Sequence, residues 1–288
     1  MSGSVAIRIG GLLAALSLLV FAPGAAAAIG PYVSLGDSYT AAPLVPTPTG
    51  RPILCGRSTH NYPSDVSRVL APSRFTDASC SGATTVDMTH AQSVGGGRQN
   101  APPQFNALAA DDALVTLGIG GNDAGLISVA EECARLDFAW PFGDRCKQHY
   151  ESGGTDSVVA AIKATGPKVA TAIHGIRSRA PLAKIEVVGY PDGLPVTGRG
   201  CWPVVPFSNR DVAYVNGLEQ RLNSVLKRMA RNNRVTYVDT YTSSIGHDAC
   251  KPPGTAWVNS IIPTSPGFPL HPNQTGEQNM ANQVLSDY

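Results

Sequence analysis

Short β-prone runs recur along this chain, and each gives way to a turn and then to a stretch with apolar residues at helical spacing. Residues 32–35 form such a run and stop at Gly36, and helix-like spacing follows at Val66, Val69 and Leu70 within residues 65–70. Residues 113–117 are apolar and end in the glycine-rich turn 118–123, the pattern of a buried central strand. Residues 185–188 and 235–238 supply two further strands. Between them, Val158, Val159, Ile162, Val169, Ile173 and Ile176 mark a helical segment over 157–179, which Gly166 and Pro167 are expected to split or bend. Ser208 followed by Asp211 reads as a helix start, with Val212, Val215, Leu218, Leu222, Val225 and Met229 on one face, and residues 276–285 read as a last helix. Strands alternating with helices imply a parallel sheet covered on both faces. In such a sheet, loops leaving the carboxyl ends of strands build the ligand site. That directs attention to the long Pro/Gly-rich loops 41–52 and 251–271.

With 43% hydrophobic residues the chain can bury a core, and its charges nearly cancel, Lys+Arg 22 against Asp+Glu 21. No run of like charge forms the basic stripe that nucleic acid demands, which excludes that partner. Residues 1–28 carry a single Arg8, an apolar stretch over 9–21, Pro23 and Gly24, and four alanines, the layout of a secretory signal cleaved near Ala28. An anchor would need about 20 consecutive apolar residues, and Pro23 and Gly24 interrupt this stretch too early. The expectation is an exported protein with no stable membrane anchor and one domain over 29–288, since no repeat or linker divides the chain. Cys55, Cys80, Cys133, Cys146, Cys201 and Cys250 suit that compartment as disulfides. No Cys-x-x-Cys pair and no completing His spacing occurs, so neither a metal nor another cofactor is expected. Pairing of sequence neighbours would close three loops within loop-rich stretches, each worth roughly 3 kcal/mol if unstrained.

Gly36, Asp37, Ser38 and Tyr39 follow the first strand directly, which presents the Ser38 hydroxyl at the carboxyl edge of the sheet. Alone, that tripeptide is explained equally well by a turn with a capping side chain. A serine hydroxyl attacks well only if a base removes its proton, and His does so near neutral pH. Of the six histidines, His60, His90, His149, His174 and His247 read as surface or helix-face residues. His271 differs, because it stands between Leu270 and Pro272 at the end of a long loop and just before the last helix.

Together these residues resemble an SGNH hydrolase of the GDSL esterase and lipase superfamily, in its secreted actinobacterial branch. Four motifs carry the resemblance in the family's order: Gly36-Asp37-Ser38, Ser81-Gly82-Ala83, Gly121-Asn122-Asp123 and Leu270-His271-Pro272. It implies a three-layer α/β/α sandwich with a central parallel sheet, of flavodoxin-like type, and sequential disulfides Cys55–Cys80, Cys133–Cys146 and Cys201–Cys250. It implies Ser38 as nucleophile and His271 as general base. The oxyanion hole would be the backbone N–H groups of Ser38 and Gly82 and the Asn122 amide. Many members place an Asp three residues before the His; here that residue is Phe268. The resemblance therefore implies a Ser-His dyad, with the Phe268 main-chain carbonyl accepting the Nδ1 proton of His271. Asp239 and Asp248 are the alternative carboxylates, and Asp37 is read as a turn-stabilising one.

The implied activity is that of a monomeric, metal-independent carboxylic ester hydrolase without cofactors, acting on small-molecule or lipid acyl esters. A carbohydrate acetylesterase is the rival enzyme, and a secreted binding protein without turnover the rival of another class. Leu44, Val45, Trp202, Val204, Val205 and Phe207 favour an acyl-chain substrate, although core packing explains them nearly as well.

Overall fold

A computed structural model describes residues 1–4 and 29–288, and the leader expected over 1–28 falls, apart from its first four residues, outside the described residues. Among the described residues seven strands are present: β1 (Tyr32–Gly36), β2 (Phe75–Asp77), β3 (Gln92–Val94), β4 (Gln99–Ala101), β5 (Leu114–Gly118), β6 (Lys184–Val188) and β7 (Thr236–Val238). Eight helices accompany them: α1 (Ser38–Ala41), α2 (Tyr62–Leu70), α3 (Leu126–Phe138), α4 (Arg145–Glu151), α5 (Ser157–Arg179), α6 (Asn209–Asn232), α7 (Thr240–Ser244) and α8 (Gln274–Asp287). Five strands form one parallel sheet in the order β2-β1-β5-β6-β7, while β3 and β4 make a separate antiparallel pair.

The period of two along each strand sorts side chains between two layers. Val33, Leu35, Val115, Leu117 and Val187 face one way, into a core with Val169 and Ile173 of α5 and Leu222 and Val225 of α6. Tyr32, Leu114, Val188 and Val238 face the other way, onto Val66 of α2 and Met280, Ala281 and Val284 of α8. Every residue of β1 and β5 is buried, which explains why these runs read as continuous rather than alternating apolar stretches. The result is the three-layer α/β/α sandwich. With the small hairpin set aside, the strand order follows the flavodoxin pattern, whose ligand crevice lies at the carboxyl ends of the first and third sheet strands. Those ends are here Gly36 of β1 and Gly118 of β5, directly opposite in register.

Local chemistry sets the helix starts. The Ser208 hydroxyl accepts the Asp211 N–H at 3.1 Å, and the Asp211 carboxylate accepts the N–H groups of Cys146 and Lys147, which fixes the start of α4 against α6. Asn61 caps α2, so that helix begins at Tyr62, earlier than the apolar spacing alone indicates. The expected break at Gly166 and Pro167 does not divide α5, which runs unbroken with Pro167 inside it. Pro167 removes one backbone donor, yet Val169 and Ile173 are fully buried against the core shared with α6, and that packing holds the helix together. The three disulfides join Cys55 to Cys80, Cys133 to Cys146 and Cys201 to Cys250, across separations of 25, 13 and 49 residues. No helix among the described residues is long and apolar enough to cross a membrane.

Candidate active site

β1 ends at Gly36 because nothing larger fits: a Cβ there would collide with the Thr40 side chain and the Gly118 carbonyl. Gln104 clamps the same residue from both sides, accepting its N–H at 2.8 Å and donating to its carbonyl at 2.9 Å. The next residue, Asp37, caps α1: its Oδ1 accepts the Tyr39 N–H at 3.0 Å. Its Oδ2 accepts the Tyr190 hydroxyl at 2.5 Å, and that hydroxyl in turn accepts the Gly121 N–H at 2.8 Å. One chain of hydrogen bonds therefore ties the Ser38 turn to the turn that carries Asn122. Burial pushes the Asp37 carboxyl up to about 7, against the opposing effect of its Tyr190 and Tyr39 bonds.

Ser38 is the first residue of α1, and its Oγ lies 2.7 Å from Nε2 of His271, 233 residues along the chain. The other ring nitrogen, Nδ1, lies 2.8 Å from the Pro269 carbonyl. A carbonyl only accepts, so Nδ1 carries the proton and Nε2 is left to accept from Ser38. The carbonyl that meets the ring is thus Pro269's and not, as expected, that of Phe268. The Phe268 carbonyl accepts the backbone N–H of His271 at 3.3 Å instead, closing a turn, and Leu270 sits in the left-handed region at φ 56°. That turn spends the Phe268 oxygen on the backbone and brings the next carbonyl to the ring.

The His271 turn is held at several points. The Asn259 N–H bonds the His271 carbonyl at 2.9 Å, the Tyr39 hydroxyl donates to the Leu270 carbonyl at 2.7 Å, and Asn273 caps α8 immediately afterwards. His271 is 3% exposed, and burial pulls its imidazole down to about 4, partly opposed by the bond to Pro269. Neither alternative carboxylate reaches it. Asp239 caps α7 through the N–H and hydroxyl of Thr242, and Asp248 accepts the Cys250 N–H and pairs with Lys251. Of the other histidines, His60 and His90 bond to neighbouring threonines, His247 stacks on Trp257, and His149 and His174 lie exposed on α4 and α5.

Three donors stand on the Ser38 side. Gly82 adopts φ 79°, and among the described residues neither its N–H nor that of Ser38 meets a hydrogen-bond partner. The Gly82 turn is fastened to β1 by the Cys80 N–H on the Gly36 carbonyl at 3.0 Å, and to Cys55 by the disulfide. Asn122 spends one amide hydrogen on the Ala83 carbonyl at 2.9 Å, which orients the amide and leaves the second hydrogen available. Ser38, Gly82, Asn122 and His271 line one groove, so the structure brings together the four motif residues singled out in the sequence. Together they place a hydroxyl beside a ring nitrogen able to accept its proton, in a groove that Gly82 and Asn122 also line.

Two hollows meet at Ser38 and Asn122. The outer groove is bordered by Pro43, Leu44, Ile53, Leu54, Phe268 and His271, and an interior pocket is lined by Tyr39, Tyr190, Phe207 and Glu219. Leu44 and Val45 therefore border the groove and Phe207 the pocket, whereas Val205 is core and Trp202 and Val204 are exposed and line neither. Sequence reasoning missed Tyr190, Gln104 and Pro269. Tyr190 could have been found, because it stands two residues past the carboxyl end of β6, where such a sheet places its site.

Residues 34–278 match the family described as GDSL-like Lipase/Acylhydrolase. The chain is 36% identical over 257 residues to Lipase 2 of Streptomyces coelicolor, covering 88% of this chain and 84% of that protein. The crystal structure of phospholipase A1 from Streptomyces albidoflavus superposes with a TM-score of 0.74 at 26% identity, over 90% of this chain and 99% of that one. The extracellular lipase of Streptomyces rimosus gives a TM-score of 0.73 at 26% identity, with the same coverage.

Proposed function

The chain belongs to the GDSL-like lipase/acylhydrolase family, and from that premise we propose that it is a serine carboxylic ester hydrolase working through a Ser38-His271 dyad. The observation that carries this reading is the 2.7 Å hydrogen bond between Ser38 Oγ and His271 Nε2. As Ser38 Oγ bonds to the ester carbonyl carbon, its proton passes to His271 Nε2, and the carbonyl oxygen becomes an oxyanion facing the Ser38 and Gly82 N–H groups and the Asn122 amide. The carbon–oxygen bond to the alcohol then breaks, and His271 returns the proton to the departing oxygen. Water repeats the sequence on the acyl-enzyme and releases the acid. The Pro269 carbonyl holds the ring's tautomer throughout, the task a carboxylate performs in a triad.

The relatives named as lipases and a phospholipase A1 support lipid acyl esters as the substrate class. The apolar border of the outer groove, where Leu44 is 66% and Phe268 44% exposed, supports the same class over a sugar ester. Export as a single domain over 29–288 is supported by the leader pattern, by three disulfides and by the extracellular relative from Streptomyces rimosus.

A fluorophosphonate probe tests the reading. The folded protein should be labelled at Ser38 and Ser38→Ala should take no label. Folded wild-type protein that stays unlabelled would refute the hydrolase and leave a binding protein. A panel of esters that includes phospholipid and acetylated xylan then decides between lipid and carbohydrate substrates.

A further inference from the structure

In hydrolysis through Ser38, the base that takes the serine proton must next deliver it to the leaving oxygen within hydrogen-bond reach. His271 lines the outer groove and does not line the interior pocket. The leaving alcohol therefore lies along the outer groove, beside Leu44 and Phe268. The acyl chain, on the other side of the tetrahedral carbon, turns into the interior pocket. That pocket is narrow, with a cavity volume of about 80 Å³ against about 790 Å³ for the groove.

Leu126, Leu194, Phe207 and Val215 line the pocket, and apart from the polar groups about Ser38 (Asp37, Tyr39, Asn122 and Tyr190) its polar side chain is that of Glu219. Glu219 projects from α6 into the lining, and its Oε2 accepts the Gly193 N–H at 3.2 Å. Among the described residues no basic side chain lines the pocket to pair with it. Burial pushes this carboxyl well above the ordinary carboxylate range, with Asp192 as a second cause. Protonated or not, a carboxyl loses free energy when an alkyl chain covers it without replacing its polar neighbours.

We propose that Glu219 is the specificity-determining residue for acyl-chain length, a polar stop in the wall of a largely apolar pocket that sets the longest acyl chain the pocket accepts. This inference rests on the dyad reading above. A chain that ends before Glu219 gains from each buried methylene, and a chain that reaches it gains nothing and strips the carboxyl.

The test is kcat/KM for p-nitrophenyl esters from acetate to decanoate, in which the alcohol half is constant. Wild type should rise by about fourfold per methylene, the value of a buried methylene in an apolar site, up to a break and then fall. Glu219→Leu should move the break to longer chains and raise the first ester beyond the wild-type break by about tenfold or more, while Glu219→Gln, equally polar, keeps the break. Val215→Phe, which narrows the same pocket one helical turn away and leaves the Glu219 carboxyl in place, should lower the octanoate-to-acetate ratio by about tenfold. An unchanged break in folded Glu219→Leu overturns the proposal. So does an unchanged ratio in Val215→Phe, or an acyl-length profile that responds to Leu44→Ala in the outer groove instead. Fluorophosphonate titration separates the two levels: Ser38 labelled with an unmoved break sinks only this inference, and unlabelled wild type sinks the hydrolase reading beneath it.

Discussion

Acidification is the sharpest probe of a base that is buried without a carboxylate beside it. An ordinary imidazole titrates at 6.5, whereas burial holds His271 near 4. That difference corresponds to about 3 kcal/mol between the two protonation states. At pH 5.5 an ordinary histidine would be only about one-tenth neutral, and His271 should be almost wholly so. The expected result is a kcat/KM that stays within about a tenth of its neutral value at pH 5.5 and falls by half only near pH 4, since kcat/KM reports the free enzyme. The stability effect has a definite sign. The unfolded chain takes up a proton at His271 below about pH 6.5 and the folded chain does not until about 4, so stability present above 6.5 is lost as pH falls through that window, by up to about 3 kcal/mol. Asp37, raised to about 7, is the competing titration near Ser38. Asp37→Asn removes it and should leave the acid limb where it was. Rates of p-nitrophenyl butyrate hydrolysis from pH 3.5 to 8, with urea unfolding across the same range, supply both curves. An acid limb near 6.5 that persists in Asp37→Asn would refute the reasoning, because it would mean that water reaches the imidazole freely.

Ser38→Ala and His271→Ala should each abolish most turnover, with the double variant little worse, and Asn122→Ala should lower kcat by roughly 100- to 1000-fold; steady-state rates on one ester decide all four. Removing a triad Asp costs about 10,000-fold in a serine protease, so Asp239→Asn and Asp248→Asn should each cost far less once circular dichroism shows the fold intact. Tyr190→Phe strands Asp37 Oδ2 and the Gly121 N–H, and thermal or urea unfolding should show a loss of about 2 to 4 kcal/mol together with a lower kcat. Peptide mapping without reduction should recover Cys55–Cys80, Cys133–Cys146 and Cys201–Cys250, and reduction should lower Tm.

The parts of the fold that could be read in advance are those whose physics is local. β1 and β5 are buried on both faces and end at glycines, so their apolar runs and punctuation stand out in the sequence. β2 is a three-residue edge strand with a single large apolar side chain, Phe75, and offers no pattern to find. The span holding α3 and α4 shows no comparable pattern, because its order depends on the Cys133–Cys146 bond and on Asp211 of α6, neither of which is a local signal. The candidate site divides in the same way. A motif identifies Ser38 and His271 as residues, but the direction of a carbonyl follows from backbone torsions, which is how Pro269 came to stand where Phe268 was expected. Tyr190 acts by joining three segments that are distant in sequence, and no one of them reveals it alone.

The separation of 233 positions between Ser38 and His271 also bears on how the site is assembled. Ser38 is among the first residues of the folded domain to be synthesised. Its partner sits on a turn that is braced by Asn259 and followed at once by α8, which packs against α2. Contacts between segments so distant in sequence form slowly compared with local ones. Hydrolysis therefore depends on the docking of α8, and a chain whose α8 lifts away loses the seat of His271. Loss of turnover on gentle heating should consequently run ahead of the loss of helical signal.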